Sequence, residues 1–175
     1  MLEIEIKSRC DDLSAVRERL EAMGAHGLHT VQQSDLYLKH PCRDFSITDE
    51  ALRIRNEGDF SVMHYKGPRI SKLSKTREEI SMPIEHPERM VEILERLGFR
   101  EGFVVKKSRT SYMVDECEVS LDSVEGLGDF VEVEYAGNGS DGEMVVNSLA
   151  DSLGVHGREM RSYLELLHFP EANDE

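Results

Sequence analysis

The chain contains no tryptophan, and aromatic residues make up only 6% of it. It therefore offers few flat faces on which a ring could stack, and those come from Tyr and Phe. Its three cysteines, Cys10, Cys42 and Cys117, are odd in number, widely separated and without a CxxC pair. They supply neither a disulfide framework nor a zinc site, and they fit a reducing compartment. Basic residues are in deficit, 21 against 35 acidic ones, giving a net charge of -14. Nucleic acid and anionic membrane surfaces repel such a chain at long range, so neither is an expected partner. No apolar run is long enough to span a bilayer and the first residues lack a signal-peptide pattern, which predicts a soluble cytoplasmic protein. The seven histidines include no HExxH spacing, and His26 and His29 read as solvated residues of a Gly-containing turn.

Three amphipathic helices are present in the pattern. "DDLSAVRERLEAMG" opens on carboxylates suited to the positive helix end, carries Leu13, Val16, Leu20 and Met23 as an apolar stripe, and stops at Gly24. "HPERMVEILERLG" has Pro87 in its first turn, Met90, Val91, Leu94 and Leu97 as its stripe, and Gly98 as its stop. "SDGEMVVNSLADSLG" is expected to start with a capping box of Ser140 and Glu143 and to close at Gly154.

Most of the remainder reads as strands, and the strands echo. "EIEIK", a helix, "VQQSDLYL", "DEALRIRNEG" and "DFSVMHYK" recur in order as "REEISM", a helix, "VVKKSRTSYMV", "DECEVSLDSVEG" and "DFVEVEY". Two halves of about 1–70 and 75–136, each contributing strand, helix and three strands, predict one pseudo-twofold α+β domain over 1–169 with a C-terminal helix and strand and an acidic tail at 170–175. Eight such strands can close into an antiparallel barrel with the helices outside, which removes exposed sheet edges.

Strand side chains alternate between faces, so "LEIEIK" sets Glu3, Glu5 and Lys7 opposite Leu2, Ile4 and Ile6. One strand of this kind is ordinary. Here the pattern repeats: Arg53 and Arg55; Lys75, Arg77 and Glu79; Lys107 and Arg109; Glu118, Ser120 and Asp122; Glu132 and Glu134. If the apolar faces turn outward under the helices, the charged faces line a central tunnel, and charges that crowded need pairing or bound ions. Carboxylates suit a hard divalent cation such as Mg²⁺ or Mn²⁺, while guanidinium and ammonium groups suit phosphate oxygens. Both kinds in one tunnel point to a metal-bound polyphosphate.

These residues resemble the CYTH superfamily, the triphosphate tunnel metalloenzymes, and most closely its class IV adenylyl cyclase branch. "EIEIK" is similar to the family's ExExK signature, and "SDLYL", "RDFSITDEALRIRNEG", "HYKGPR", "KTREEI", "VVKKSRTSY", "LDSVEGLGDFVEVE" and "RSYLELL" follow in family order. The resemblance implies a closed eight-stranded barrel, two divalent-cation positions and a triphosphate in the tunnel. Carried over by motif, Glu3, Glu5, Glu132 and Glu134 would be metal ligands or their close supports, with Asp122 a further acidic candidate. Lys7, Arg53, Arg55, Lys66, Lys107 and Arg109 would grip phosphates, joined by Arg77; Lys75, Glu79 and Glu118 are weaker assignments, and Tyr37 and Tyr163 read as packing residues. A homodimer is implied by the cyclase branch alone.

The implied reaction is two-metal conversion of ATP to 3′,5′-cyclic AMP and pyrophosphate, with Glu3, Glu5, Lys7, Glu132 and Glu134 at its centre. A triphosphatase would use the same grip on tripolyphosphate, thiamine triphosphate or a nucleotide, and a non-catalytic polyphosphate or nucleotide sensor would keep the bases without needing the acids. "GNGSDG" matches GxGxxG, but too little chain follows it to build βαβ units.

Overall fold

The computed structural model describes residues 2–70, 76–137, 139 and 141–169. The strands are β1 (Leu2–Glu3), β2 (Glu5–Arg9), β3 (Gly27–Lys39), β4 (Ala51–Glu57), β5 (Phe60–Arg69), β6 (Arg77–Pro83), β7 (Arg100–Val114), β8 (Cys117–Val124) and β9 (Gly128–Tyr135). The helices are α1 (Leu13–Ala22), α2 (Phe45–Thr48), α3 (Pro87–Arg96), α4 (Gly142–Ser152) and α5 (Tyr163–His168).

All strands join one antiparallel sheet in the order β1-β6-β5-β4-β3-β7-β8-β9-β2. β1 and β2 are pieces of a single strand interrupted at Ile4, so the sheet has the expected eight strand positions. β1 pairs with β6 through Leu2↔Glu78 and Glu3↔Arg77, and β2 pairs with β9 from Glu5↔Glu134 to Arg9↔Phe130. The sheet is strongly curled into at least a half-barrel. Its full closure, the remaining part of the sequence expectation, depends on the strand around Ile4, whose carbonyl accepts from Tyr135 N at 2.9 Å.

The curl puts oil outside and charge inside. Ile6, Val119, Leu121, Val131 and Val133 pack under Val16 and Leu20 of α1 and Val146, Ala150 and Leu153. On the other half, Leu38, Leu52 and Ile54 pack under Met90, Val91 and Leu94 of α3. Burying these apolar faces against helices drives the fold, at about 25 cal/mol per Å².

Several local expectations need correction. Met23 and Leu97 are 44% and 67% exposed, because each occupies the C-cap position, where the chain leaves its helix and the stripe no longer faces the sheet. The capping box expected of Ser140 and Glu143 falls on Ser140, outside the described residues; α4 has Asp141 at its N-cap with no side-chain cap bond. Its first residue, Gly142, fits against Tyr135 and Ile4 where a Cβ would come within 2.5 Å and 2.8 Å of their side chains. A capping box is present instead on α5, where Ser162 and Glu165 bond each other's backbone. No strand follows β9 among the described residues, so the expected C-terminal strand is not seen; "YLELLH" forms helix α5, in which Tyr163 and Leu166, one turn apart, share the buried side. His29 lies on β3, not in a turn. Lys75 and the acidic tail 170–175 lie outside the described residues. No helix among the described residues is long and apolar enough to cross a membrane.

Candidate active site

Inside the curl is a cavity of about 1550 Å³ lined by Glu3, Glu5, Lys7, Arg53, Arg55, Lys66, Arg77, Glu79, Lys107, Arg109, Glu118, Glu132, Glu134 and Tyr163, among others. Strand alternation accounts for this convergence. Glu3, Glu5 and Lys7 alternate with Ile4 and Ile6, and Glu132 and Glu134 alternate with Val131, Val133 and Tyr135. The register Glu5↔Glu134 then sets two carboxylates side by side.

Glu3, Glu5 and Glu134 form the acidic end. Each offers a carboxylate oxygen, and these oxygens lie within 4.8 Å of one another. Burial raises Glu134 from its ordinary 4.5 to about 8, reinforced by Glu5 and Glu3. Burial likewise raises Glu3 to about 7, with Glu5 and Glu79 adding to it and Lys66 opposing. Three clustered hard oxygen donors, two of them reluctant to ionise without a counter-charge, fit a divalent cation such as Mg²⁺ or Mn²⁺. Because the cation binds the ionised carboxylates, its affinity is expected to rise as pH climbs through 7 and 8, the values reached by Glu3 and Glu134. Calorimetric titration with Mg²⁺ at about pH 6 and about pH 8.5 checks this, with proton release at the lower pH. Equal affinity without proton release would remove both residues from the cation site.

The basic groups are held in two buried ion hubs. Asp35 of β3 accepts from Arg53 at 3.0 Å and from Arg55 at 2.7 and 2.8 Å. These guanidiniums hold its carboxyl far below the usual range in spite of burial. Asp122 of β8 accepts from Lys107 at 2.7 Å, from Arg109 at 2.7 and 2.6 Å and from the Tyr163 hydroxyl at 2.9 Å. Arg109 also pairs with Glu132. Burial, helped by Arg109, pushes Lys107 down to about 8. Lys66 bridges Glu3 to Glu79, 3.1 Å from the latter, and so joins the acidic end to the wall of β6. Lys7 donates to the Arg161 carbonyl and lies 4.1 Å from the centre of the Tyr163 ring. Arg77 is buried on the cavity wall opposite Glu3 in the β1–β6 ladder.

Among the described residues, the predicted site residues line one cavity except Asp122, which is fully buried, and the carboxylates fall into two groups. Glu3, Glu5 and Glu134 cluster. Asp122 and Glu132 are engaged with Lys107 and Arg109 and stand outside that triad. His64 and Asp35 also bear on the site, carried within "HYKGPR" and "SDLYL" without an assigned role: His64 lines the cavity, and Asp35, flanked by Ser34 and Leu36, acts through Arg53 and Arg55 of the facing strand. Tyr163 packs edge-on to Phe130 at 5.0 Å, as expected of a packing residue, and also joins the Asp122 hub.

The site is thus the ionic interior of a curled antiparallel sheet, with a carboxylate triad able to hold a divalent cation beside buried cationic groups able to bind an anion. The CYTH domain matches residues 1–159, and the chain belongs to the CYTH family. It is 46% identical over 134 residues to a Methanocaldococcus jannaschii protein provisionally named as an adenylate cyclase, covering 77% of each chain. It is 26% identical over 173 residues to the adenylate cyclase CyaB of Aeromonas hydrophila, covering 94% of this chain and 87% of that one. Among solved structures, the PH1819 protein of Pyrococcus horikoshii superposes with a TM-score of 0.86 at 38% identity, over 97% of this chain and 99% of the other.

Proposed function

We propose that this chain is a class IV adenylyl cyclase-like enzyme, converting ATP to 3′,5′-cyclic AMP and pyrophosphate in a tunnel that the sheet forms by closing at the β1–β2 strand. The observation that carries the reading is the union in one cavity of the Glu3, Glu5 and Glu134 triad with the Arg53, Arg55, Lys66, Lys107 and Arg109 cations. The names of the Methanocaldococcus and Aeromonas relatives support it.

Glu3, Glu5 and Glu134 would hold a divalent cation, which when bound supplies a Lewis acid and charge neutralisation beside the reacting phosphorus. The cations of the two hubs bind and orient the phosphate chain. Their acidic partners fix the guanidinium planes in advance, so little reorganisation is left for the moment of reaction. Lys66, tethered to Glu3 and Glu79, places positive charge next to the triad, and Arg77 supplies a further cation on the same wall. Developing negative charge on departing pyrophosphate then meets fixed donors in a buried setting, where each is worth more than in water.

Incubating the protein with ATP, and separately with tripolyphosphate, in Mg²⁺ and in Mn²⁺ tests the reading by the phosphorus products. Cyclic AMP with pyrophosphate is expected. Orthophosphate alone would replace the cyclase by a triphosphatase, and binding without turnover would leave a sensor.

A further inference from the structure

Three side-chain polar atoms on residues lining the cavity are buried without a hydrogen-bond partner among the described residues, Gln33 Oε1, His64 Nε2 and Arg53 Nε, and the last two sit on paired positions. His64 of β5 and Arg53 of β4 are directly opposite in the ladder, and both residues line the cavity. The other ring nitrogen of His64 is committed. Its Nδ1 lies 2.6 Å from Glu79 Oε1 and 2.8 Å from Ser81 Oγ, while Ser81 Oγ donates to the same Glu79 oxygen at 2.8 Å. An ionised carboxylate only accepts, so the proton sits on Nδ1 and, in the neutral ring, Nε2 carries a free lone pair. Burial and the nearby Arg53 and Arg55 guanidiniums keep His64 below the ordinary histidine range against the pull of Glu79, which favours that neutral ring. Facing residues of one wall thus hold an unpartnered acceptor and an unpartnered donor. A hydroxyl group satisfies both, donating to Nε2 and accepting from Arg53 Nε; a phosphate oxygen, having no proton to give, satisfies only the arginine.

We infer that His64, oriented by Glu79, is the proton acceptor for the hydroxyl that attacks the α-phosphorus, with Arg53 Nε holding the hydroxyl oxygen. The inference rests on the cyclase reading, in which that hydroxyl is the ribose 3′-OH. Its O–H bond breaks and the proton passes to Nε2. The oxygen bonds to the α-phosphorus, the bond from that phosphorus to the bridging oxygen breaks, and pyrophosphate leaves with the electron pair. Glu79 stabilises the imidazolium formed, which returns its proton to solvent, the logic of a carboxylate-oriented histidine base. Lys66, bonded to both Glu79 and Glu3, links this pair to the acidic triad.

The test compares wild type, His64→Gln and His64→Ala across pH, with thermal melting as the fold control. Glutamine keeps a hydrogen-bond acceptor but cannot take the proton. His64→Gln should lower kcat roughly 100-fold or more with KM for ATP little changed, and remove the histidine limb from the acid side of the kcat profile. Added imidazole should restore a measurable part of the rate to His64→Ala and none to Glu134→Gln. A folded His64→Gln with wild-type kcat, a loss confined to KM, or no response of His64→Ala to imidazole would overturn the assignment while leaving the cyclase reading intact. A wild type that forms no cyclic AMP would overturn both.

Discussion

Glu134→Gln is expected to lower turnover at least about a thousandfold, while making the cation-free protein more stable at mildly alkaline pH. The two effects share one cause. Glu134 reaches about 8 in the fold from an ordinary 4.5 because burial and the adjacent Glu5 and Glu3 oppose its ionisation. A carboxyl raised in this way supports the fold fully below its ordinary value, and that support is lost as pH rises through the folded value. Above about pH 8 the cation-free wild type therefore bears a buried carboxylate that the unfolded chain would solvate freely, and the amide variant does not. With Mg²⁺ present the order should reverse, because wild type gains binding energy that the variant largely forfeits. Thermal melting of both proteins with and without Mg²⁺ at about pH 8.5, beside product formation from ATP, reads all of this. A variant that keeps wild-type turnover, or whose melting responds to Mg²⁺ as wild type does, would show that Glu134 is a bystander.

Much of this was legible in "LEIEIK" and its echoes, because alternation is a local property: once a segment is a strand, Glu3, Glu5 and Lys7 must share a face. The outward placement of the apolar faces followed from the helices, whose stripes needed a sheet to cover. What escaped was whatever depends on register between distant strands. Asp35 looks unremarkable until β3 pairs with β4 so that Asp35 meets Arg55 and lies beside Tyr37↔Arg53. A sequence motif likewise cannot tell a carboxylate facing another carboxylate, as Glu5 faces Glu134, from one paired with Arg109, as Asp122 and Glu132 are. The two hubs show why. In the echo, Asp35 corresponds to Arg109 and Arg55 to Asp122, so each half has the same cross-strand bridge with its charges exchanged. Pairing, and not the sign at either position, is what the buried ladder demands.

Asp122→Ala should accordingly be the most damaging single change to stability, about 3–5 kcal/mol, and should act through the fold before it acts on catalysis. Asp122 is fully buried and receives Lys107, Arg109 and the Tyr163 hydroxyl together. Removing it leaves an ammonium of which only 2% is exposed, deprives Arg109 of its bidentate partner and strands a phenol. For a domain whose whole stability is on the order of 5–15 kcal/mol, that loss is a large share. Asp122→Asn keeps one acceptor oxygen without the charge and should fall between the two. Because its partners hold Asp122 below its ordinary 3.8, its contribution is present above that value and fades as pH falls through the lower folded one. The damage measured by urea unfolding near neutral pH should therefore shrink in strong acid. Adding Lys107→Met to Asp122→Ala should recover part of the loss, since it removes the buried charge left unbalanced. Were Asp122→Ala to unfold at wild-type urea concentrations and instead lose only its Mg²⁺ affinity, Asp122 would be a cation ligand after all, and the distinction between triad and hub would collapse.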